Sequence, residues 1–151
     1  MNTIAKRSID QKPPEPNKVR LEFSEISARL DAAALPETDL VIGIATGGSV
    51  PAALLAYKLQ TPLYTLHLNY RAENNNPQRP APELLSSPDL PALRGKRVLL
   101  VDDVCVTGKT LEAARRYLEG ASVTTLALKG RADVVLFPEL ERCVRWPWKG
   151  S

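Results

Sequence analysis

Two adjacent carboxylates, Asp102 and Asp103, follow the apolar run Val98-Leu99-Leu100-Val101 and precede the turn Thr107-Gly108-Lys109-Thr110. The apolar run lacks alternation, which suits a central parallel strand buried on both faces, and it places the two acids at the strand tip. Beyond the turn, Leu111, Ala114 and Leu118 recur at helical spacing. A turn that opens a helix presents unpaired backbone N–H groups and the positive end of the helix dipole. That is an anion site, above all for phosphate. Gly108 lets the backbone approach an anion closely, and the Thr107 and Thr110 hydroxyls add donors. Two carboxylates beside a phosphate cradle suit sugar hydroxyls and a Mg²⁺ ion. A second glycine turn, Thr46-Gly47-Gly48, follows another apolar run, Asp39 to Ala45.

Neither turn fits the common nucleotide fingerprints. A Walker A loop needs glycine five residues before Gly108, where Asp103 stands. The stretch around Gly47 does not match the GxGxxG pattern either. The start VLLVDD is also similar to that of a receiver domain, but there the acidic pair opens the chain. Cys105 and Cys143 have no metal-type or CxxC spacing and read as reduced thiols. Cys105 reads as a small buried residue, not a nucleophile.

The elements that must position these residues alternate along the chain. Phe23, Ile26, Leu30 and Ala33 predict a helix, with Ser24 as its cap and Pro36 as its end. Asp39–Ala45 is a strand, the glycine turn follows, and Pro51 leads a helix over Ala52–Leu59. Thr61–Leu68, Arg97–Asp102 and Ala121–Leu128 are further strands. Gly120 is placed to end the helix before the last of them. Shorter β-like pieces lie around Val134–Phe137 and Val144–Trp146. The alternation predicts an α/β fold: a doubly wound, mostly parallel sheet with flanking helices and a small C-terminal hood. Ligands of such sheets sit at strand carboxyl ends, near the point where strand order reverses. Both glycine turns and the acidic pair lie at such ends.

With 151 residues, one domain is expected. Residues 1–20 are polar and broken by Pro13, Pro14 and Pro16, and predict a disordered tail before a domain over 21–151. Residues 69–95 hold Asn74, Asn75, Asn76 and five prolines, and predict a long mobile loop; 129–151 form the hood. No apolar run is long enough to cross a membrane, and residues 1–20 lack the apolar stretch of a signal peptide. A cytoplasmic protein with no second domain is expected. The net charge of +3 is modest, and a phosphate-rich small ligand accounts for it better than nucleic acid.

The stretch VLLVDDVCVTGKTL resembles the phosphoribosyl pyrophosphate (PRPP) signature of the type I phosphoribosyltransferases. The resemblance runs from about Phe23 to Trp148 and takes in VIGIATGGSVPAALLA, which is similar to that family's pyrophosphate loop and following helix. It is nearest to the bacterial 6-oxopurine, xanthine-guanine branch. It implies a Mg²⁺-dependent enzyme that joins a nucleobase to PRPP, releases pyrophosphate and serves purine salvage, with a homodimer as the expected assembly. It implies that Asp102 and Asp103 hold the ribose hydroxyls and, directly or through water, the metal. By the same resemblance Val106, Thr107, Gly108, Lys109 and Thr110 hold the 5-phosphate, and Thr46, Gly47 and Gly48 the pyrophosphate. Tyr70 and Arg71 open the lid. Lys129 contacts the base oxygen, Cys143 stands where an aromatic ring stacks on the base, and Val144 offers a backbone contact to it. Pro147-Trp148 matches the PW dipeptide of the hood.

Three residues depart from that pattern. Val106 stands where the oxopurine branch carries Asp, Cys143 replaces the stacking ring, and Lys149 replaces the acid that often follows PW. These departures keep a second reading open: a PRPP- or nucleotide-binding regulatory protein of the same fold.

Overall fold

The computed structural model describes residues 18–69, 83–84 and 89–149. Along the chain these form β1 (Lys18–Arg20), α1 (Phe23–Ala32), β2 (Leu40–Ala45), α2 (Ser49–Leu59) and β3 (Leu63–Asn69). After them come β4 (Glu83–Leu84), β5 (Arg97–Cys105), α3 (Lys109–Arg115), β6 (Ser122–Gly130), β7 (Val134–Val135) and β8 (Cys143–Arg145). A 3₁₀ turn, Pro147–Lys149, follows β8.

Six strands form the main sheet in the order β4-β3-β2-β5-β6-β7. All its pairings are parallel except β3 with β4. The strands are apolar on both faces because helices cover both. On one face Val41, Leu99, Val101, Leu126 and Leu128 pack with Ile26 and Leu30 of α1 and with Leu55 of α2. On the other, Leu40, Ile42, Val98, Leu100 and Ala127 pack with Leu111 and Ala114 of α3. The expected doubly wound α/β sheet is therefore present. From β2 the chain moves outward to β3, then returns to β5 on the other side of β2. Strand order reverses between β2 and β5, so their carboxyl ends flank the switch point.

Several boundaries differ from expectation. Order starts before Leu21. Lys18–Arg20 pair in parallel with Cys143–Arg145 as a separate two-stranded sheet, where Val19 meets Val144. The Leu21 N–H also donates to the Arg145 carbonyl. Helix α1 is capped by Glu22, not Ser24: Glu22 and Glu25 form a capping box. Phe23, placed on the buried face by its spacing, is 49% exposed. The stretch 69–95 is not wholly a loop. Glu83–Leu84 pair antiparallel with Leu68 and Asn69, Leu93 is buried, and the Gly95 N–H bonds the Gly120 carbonyl.

The hood is also smaller than 129–151, because β7 extends the main sheet beside β6. Asp133 fixes that junction. It accepts from the Thr125 N–H at 2.9 Å and hydroxyl at 3.1 Å, and its own N–H donates to the Thr125 hydroxyl. Arg115 of α3 forms an ion pair with the same Asp133.

Asp39 ties the start of β2 to β5. Its carboxylate accepts from the Arg97 N–H at 2.7 Å and from the guanidinium, which also bonds Glu37. These donors, the Arg97 side chain first, hold the Asp39 pKa down at about 2 against an ordinary 3.8. A depressed carboxylate pKa stabilises the fold above pH about 4, and that contribution is lost as pH falls toward 2. Urea melts of Asp39→Asn between pH 5 and 2 are expected to show a shallower acid limb than wild type. Parallel limbs would contradict the coupling.

Candidate functional site

The switch point brings together the two segments that the sequence singled out. Asp102 and Asp103 lie in the last turn of β5, which runs three residues past the expected end at Asp102. The Asp103 N–H donates to Asp102 Oδ1 at 2.8 Å, and the Val104 N–H donates to Asp103 Oδ1 at 2.7 Å. Asp102 is 8% exposed. Burial pushes its carboxyl well above the ordinary carboxylate range, and the neighbouring Asp103 charge pushes it further. Burial likewise raises the Cys105 thiol, in keeping with an unreactive residue.

Thr46-Gly47-Gly48 leaves β2 beside this pair, and the Ala45–Thr46 peptide is cis. Glycine is required at both later positions by close approach. A Cβ on Gly47 would stand 2.5 Å from Asp103 Oδ1 and 2.6 Å from its Cγ and Oδ2. A Cβ on Gly48 would stand 2.4 Å from the Val101 carbonyl and 2.7 Å from that of Ile44. The first glycine makes room for a carboxylate, the second for the sheet itself.

The other turn is arranged differently. Gly108 caps α3 with φ 83°, a left-handed conformation that favours glycine. A Cβ there would meet nothing within 4 Å, so the turn is open on that side. The Lys109 N–H lies 3.4 Å from Thr107 Oγ1. Thr107 and Lys109 are exposed and Thr110 is half-buried. Val106 is 66% exposed, a large apolar side chain left toward solvent at the site's edge.

The remaining candidates scatter. Lys129, half-buried, is in register with Val104 on the neighbouring strand β6. Val144 is half-buried in the hood sheet, packed against the same core as Trp146 and Trp148. Cys143 is exposed on β8, and its register partner is Lys18. Tyr70 and Arg71 lie outside the described residues.

One residue entered the sequence reading only as a departure from the family's pattern, yet it reaches the acidic pair. Lys149 Nζ lies 3.6 Å from Asp103 Oδ2. Its 3₁₀ turn is held by Trp148, whose ring stacks on Trp146 with centroids 5.5 Å apart and sits 6.0 Å from the Phe23 ring. The residue after the PW dipeptide was the available signal, but nothing in its type says which strand end it meets.

Among the described residues no three His, Cys, Asp or Glu side chains gather to hold a metal. The donor set is thus two adjacent carboxylates. That fits a hard cation such as Mg²⁺, which keeps waters and takes further oxygens from a phosphorylated ligand. Among the same residues no helix is long and apolar enough to cross a membrane.

The family model described as "Phosphoribosyl transferase domain" matches residues 18–129. The adenine phosphoribosyltransferase of Mycobacterium marinum is 38% identical over 111 residues, which cover 68% of this chain and 59% of that protein. The orotate phosphoribosyltransferase of Saccharolobus solfataricus is 37% identical over 76 residues, covering 50% of this chain and 34% of the relative. Among solved structures, the purine phosphoribosyltransferase of Pyrococcus horikoshii superposes with a TM-score of 0.74 at 26% identity. That match covers 89% of this chain and 96% of the other. The chain spans 59–64% of the length of the adenine-named curated relatives it matches. Together with a switch point that joins the acidic pair to a glycine loop, these matches place the chain in the phosphoribosyltransferase family.

Proposed function

We propose that the chain transfers the 5-phosphoribosyl group of PRPP to a nucleobase and releases pyrophosphate, in purine salvage. The observation that carries this reading is the fit of Gly47 beneath the Asp103 carboxylate, which couples the glycine loop of β2 to the acids of β5. Similarity to adenine and purine enzymes supports a purine as the acceptor. A cytoplasmic setting and a homodimer belong to the same reading.

Displacing pyrophosphate at the sugar C1 requires the sugar and its phosphate to be held in line with the incoming base. The open turn Val106–Thr110 anchors the 5-phosphate through backbone N–H groups and the Thr107 and Thr110 hydroxyls. Asp102 and Asp103 accept from the ribose hydroxyls, and they also hold Mg²⁺ directly or through water. When bound, that ion supplies positive charge to the departing diphosphate. Thr46 and Gly47 donate backbone N–H groups to the same diphosphate, preorganised where its charge develops; Gly48, expected to do the same, instead donates its N–H to the Ile44 carbonyl at 2.7 Å and shapes the loop. Lys129 and the Val144 backbone stand at the base end. Tyr70 and Arg71 open the segment that excludes water from an oxocarbenium-like centre.

The regulatory reading is favoured by two observations: Val106 is apolar and exposed at the turn, and Cys143 is exposed in the hood sheet. Pyrophosphate release with PRPP, Mg²⁺ and a panel of adenine, hypoxanthine, guanine, xanthine, orotate and uracil separates the two. Turnover with a purine is expected. PRPP binding without turnover on any base would replace the enzyme by the regulator.

A further inference from the structure

Lys149 lies against the acidic pair from the far end of the chain, and its setting points to a task. Asp103 Oδ1 is engaged by the Val104 N–H, so Oδ2 is the oxygen that meets the ammonium. The backbone of Lys149 is fixed: its N–H donates to the Trp146 carbonyl at 3.2 Å, and Trp146 is 2% exposed beneath it. The side chain is not fixed to the same degree. It is 56% exposed, its Asp103 partner 13%, and 3.6 Å is a long contact for an ion pair. A long flexible stem on a firm base lets the ammonium exchange partners at little cost.

In the phosphoribosyltransferase reading, the diphosphate held at the glycine loop is the acceptor of that charge in a filled site. Gly47 lies under the same carboxylate that Lys149 touches. The loop Thr46-Gly47-Gly48 has no charged side chain, so it offers a diphosphate only dipoles. Two carboxylates beside it repel an anion. A leaving group that gathers negative charge needs a cation placed where that charge develops.

We propose that Lys149 is a pyrophosphate-binding residue, held by Asp103 in the empty site and passed to the diphosphate when the ribose hydroxyls occupy the acidic pair. The inference rests on the phosphoribosyltransferase reading. It makes Lys149 a competitor of a divalent cation at the empty pair and an ally of the anion in the filled one. The two effects have opposite signs, and a purely structural lysine would not produce that.

The test uses the full chain as wild type and as two variants, Lys149→Met and Lys149→Arg. Calorimetry follows pyrophosphate with Mg²⁺ and saturating ribose 5-phosphate, whose hydroxyls occupy the acidic pair, and paramagnetic resonance follows Mn²⁺ alone. Lys149→Met is expected to bind pyrophosphate about tenfold more weakly, the scale of one charge-assisted hydrogen bond. The same variant is expected to bind Mn²⁺ about two- to fivefold more tightly, since a partly exposed ion pair no longer competes. Lys149→Arg restores pyrophosphate binding to within about threefold of wild type. Unchanged pyrophosphate affinity in Lys149→Met overturns the proposal, and so does equal weakening of both ligands. PRPP is titrated alongside. A wild-type chain that binds no PRPP removes the transferase reading and this one with it. Wild-type PRPP binding with a silent Lys149→Met removes only the role of Lys149.

Discussion

Gly47→Ala weakens PRPP binding about 100-fold while leaving the chain folded: this is the largest functional effect expected of a single methyl group. The added Cβ falls within 2.6 Å of all three atoms of the Asp103 carboxylate. A carboxylate at the end of a short side chain yields to such a clash by rotating away, which the sheet survives. In the proposed function, the pair then no longer presents its oxygens to the ribose. A displacement on the order of 1 Å at a positioning group costs about 100-fold, and that is the expected loss in kcat/KM for PRPP.

Gly48→Ala is the control that gives the prediction its edge. There the new Cβ meets carbonyl oxygens of β2 and β5, which cannot rotate away. Overpacking of this kind costs about 1–3 kcal/mol, or roughly 2–12 °C in Tm for a chain of this size. Adjacent glycines of one loop are thus expected to separate cleanly, one in binding and one in thermal stability. Equal effects of both substitutions on Tm would contradict the geometry.

Neutralising the acids produces the second large effect. Asp103→Asn removes the carboxylate that, in the proposed function, accepts from the sugar and faces the cation. Losing about two charge-assisted hydrogen bonds lowers PRPP affinity by about 100- to 1000-fold. Asp102→Asn is expected to weaken PRPP as well, yet to raise Tm at neutral pH. The sign follows from burial. A carboxyl pushed above its unfolded pKa binds its proton more tightly in the folded state, so stability falls as pH rises from about 4 through the folded value. The amide carries no such penalty. Thermal melts at pH 7.5 beside calorimetric PRPP titrations check both halves. A lower Tm for Asp102→Asn would mean that the pair holds the fold together instead of storing cost for function.

The centre of the fold was legible because its signals are local. Val98–Val101 is apolar without alternation, so a doubly buried strand could be read directly, and with it the position of Asp102 and Asp103 at its tip. Glycine after Ala45 and at 108 marked the two turns for the same reason. The rim was less legible. Lys18–Arg20 has one apolar residue and becomes a strand only because β8 lies alongside, a pairing that joins the two ends of the described chain. Val134–Val135 looked like hood because two residues carry no periodicity; Asp133 anchoring Thr125 is what adds them to the sheet. Glu22 outranked Ser24 as the cap through its reciprocal bonds with Glu25, a signature three residues long that the spacing of Phe23 and Ile26 masked. In the candidate site, Gly47 lies against the Asp103 carboxylate and Gly48 against the Val101 and Ile44 carbonyls. Lys149 was invisible as a neighbour of Asp103 because the contact joins the 3₁₀ turn after β8 to the carboxyl end of a central strand, residues far apart in sequence.

The proposed function requires the β2 and β5 carboxyl ends to form one PRPP site. Calorimetric titration of PRPP with Mg²⁺ into the full chain tests it most directly, with Asp103→Asn and Gly47→Ala as paired samples. Saturable one-site binding to wild type is expected, with a loss of about 100-fold or more in each variant and both variants folded. Undetectable binding by a folded wild-type chain, or wild-type affinity in both variants, would contradict it.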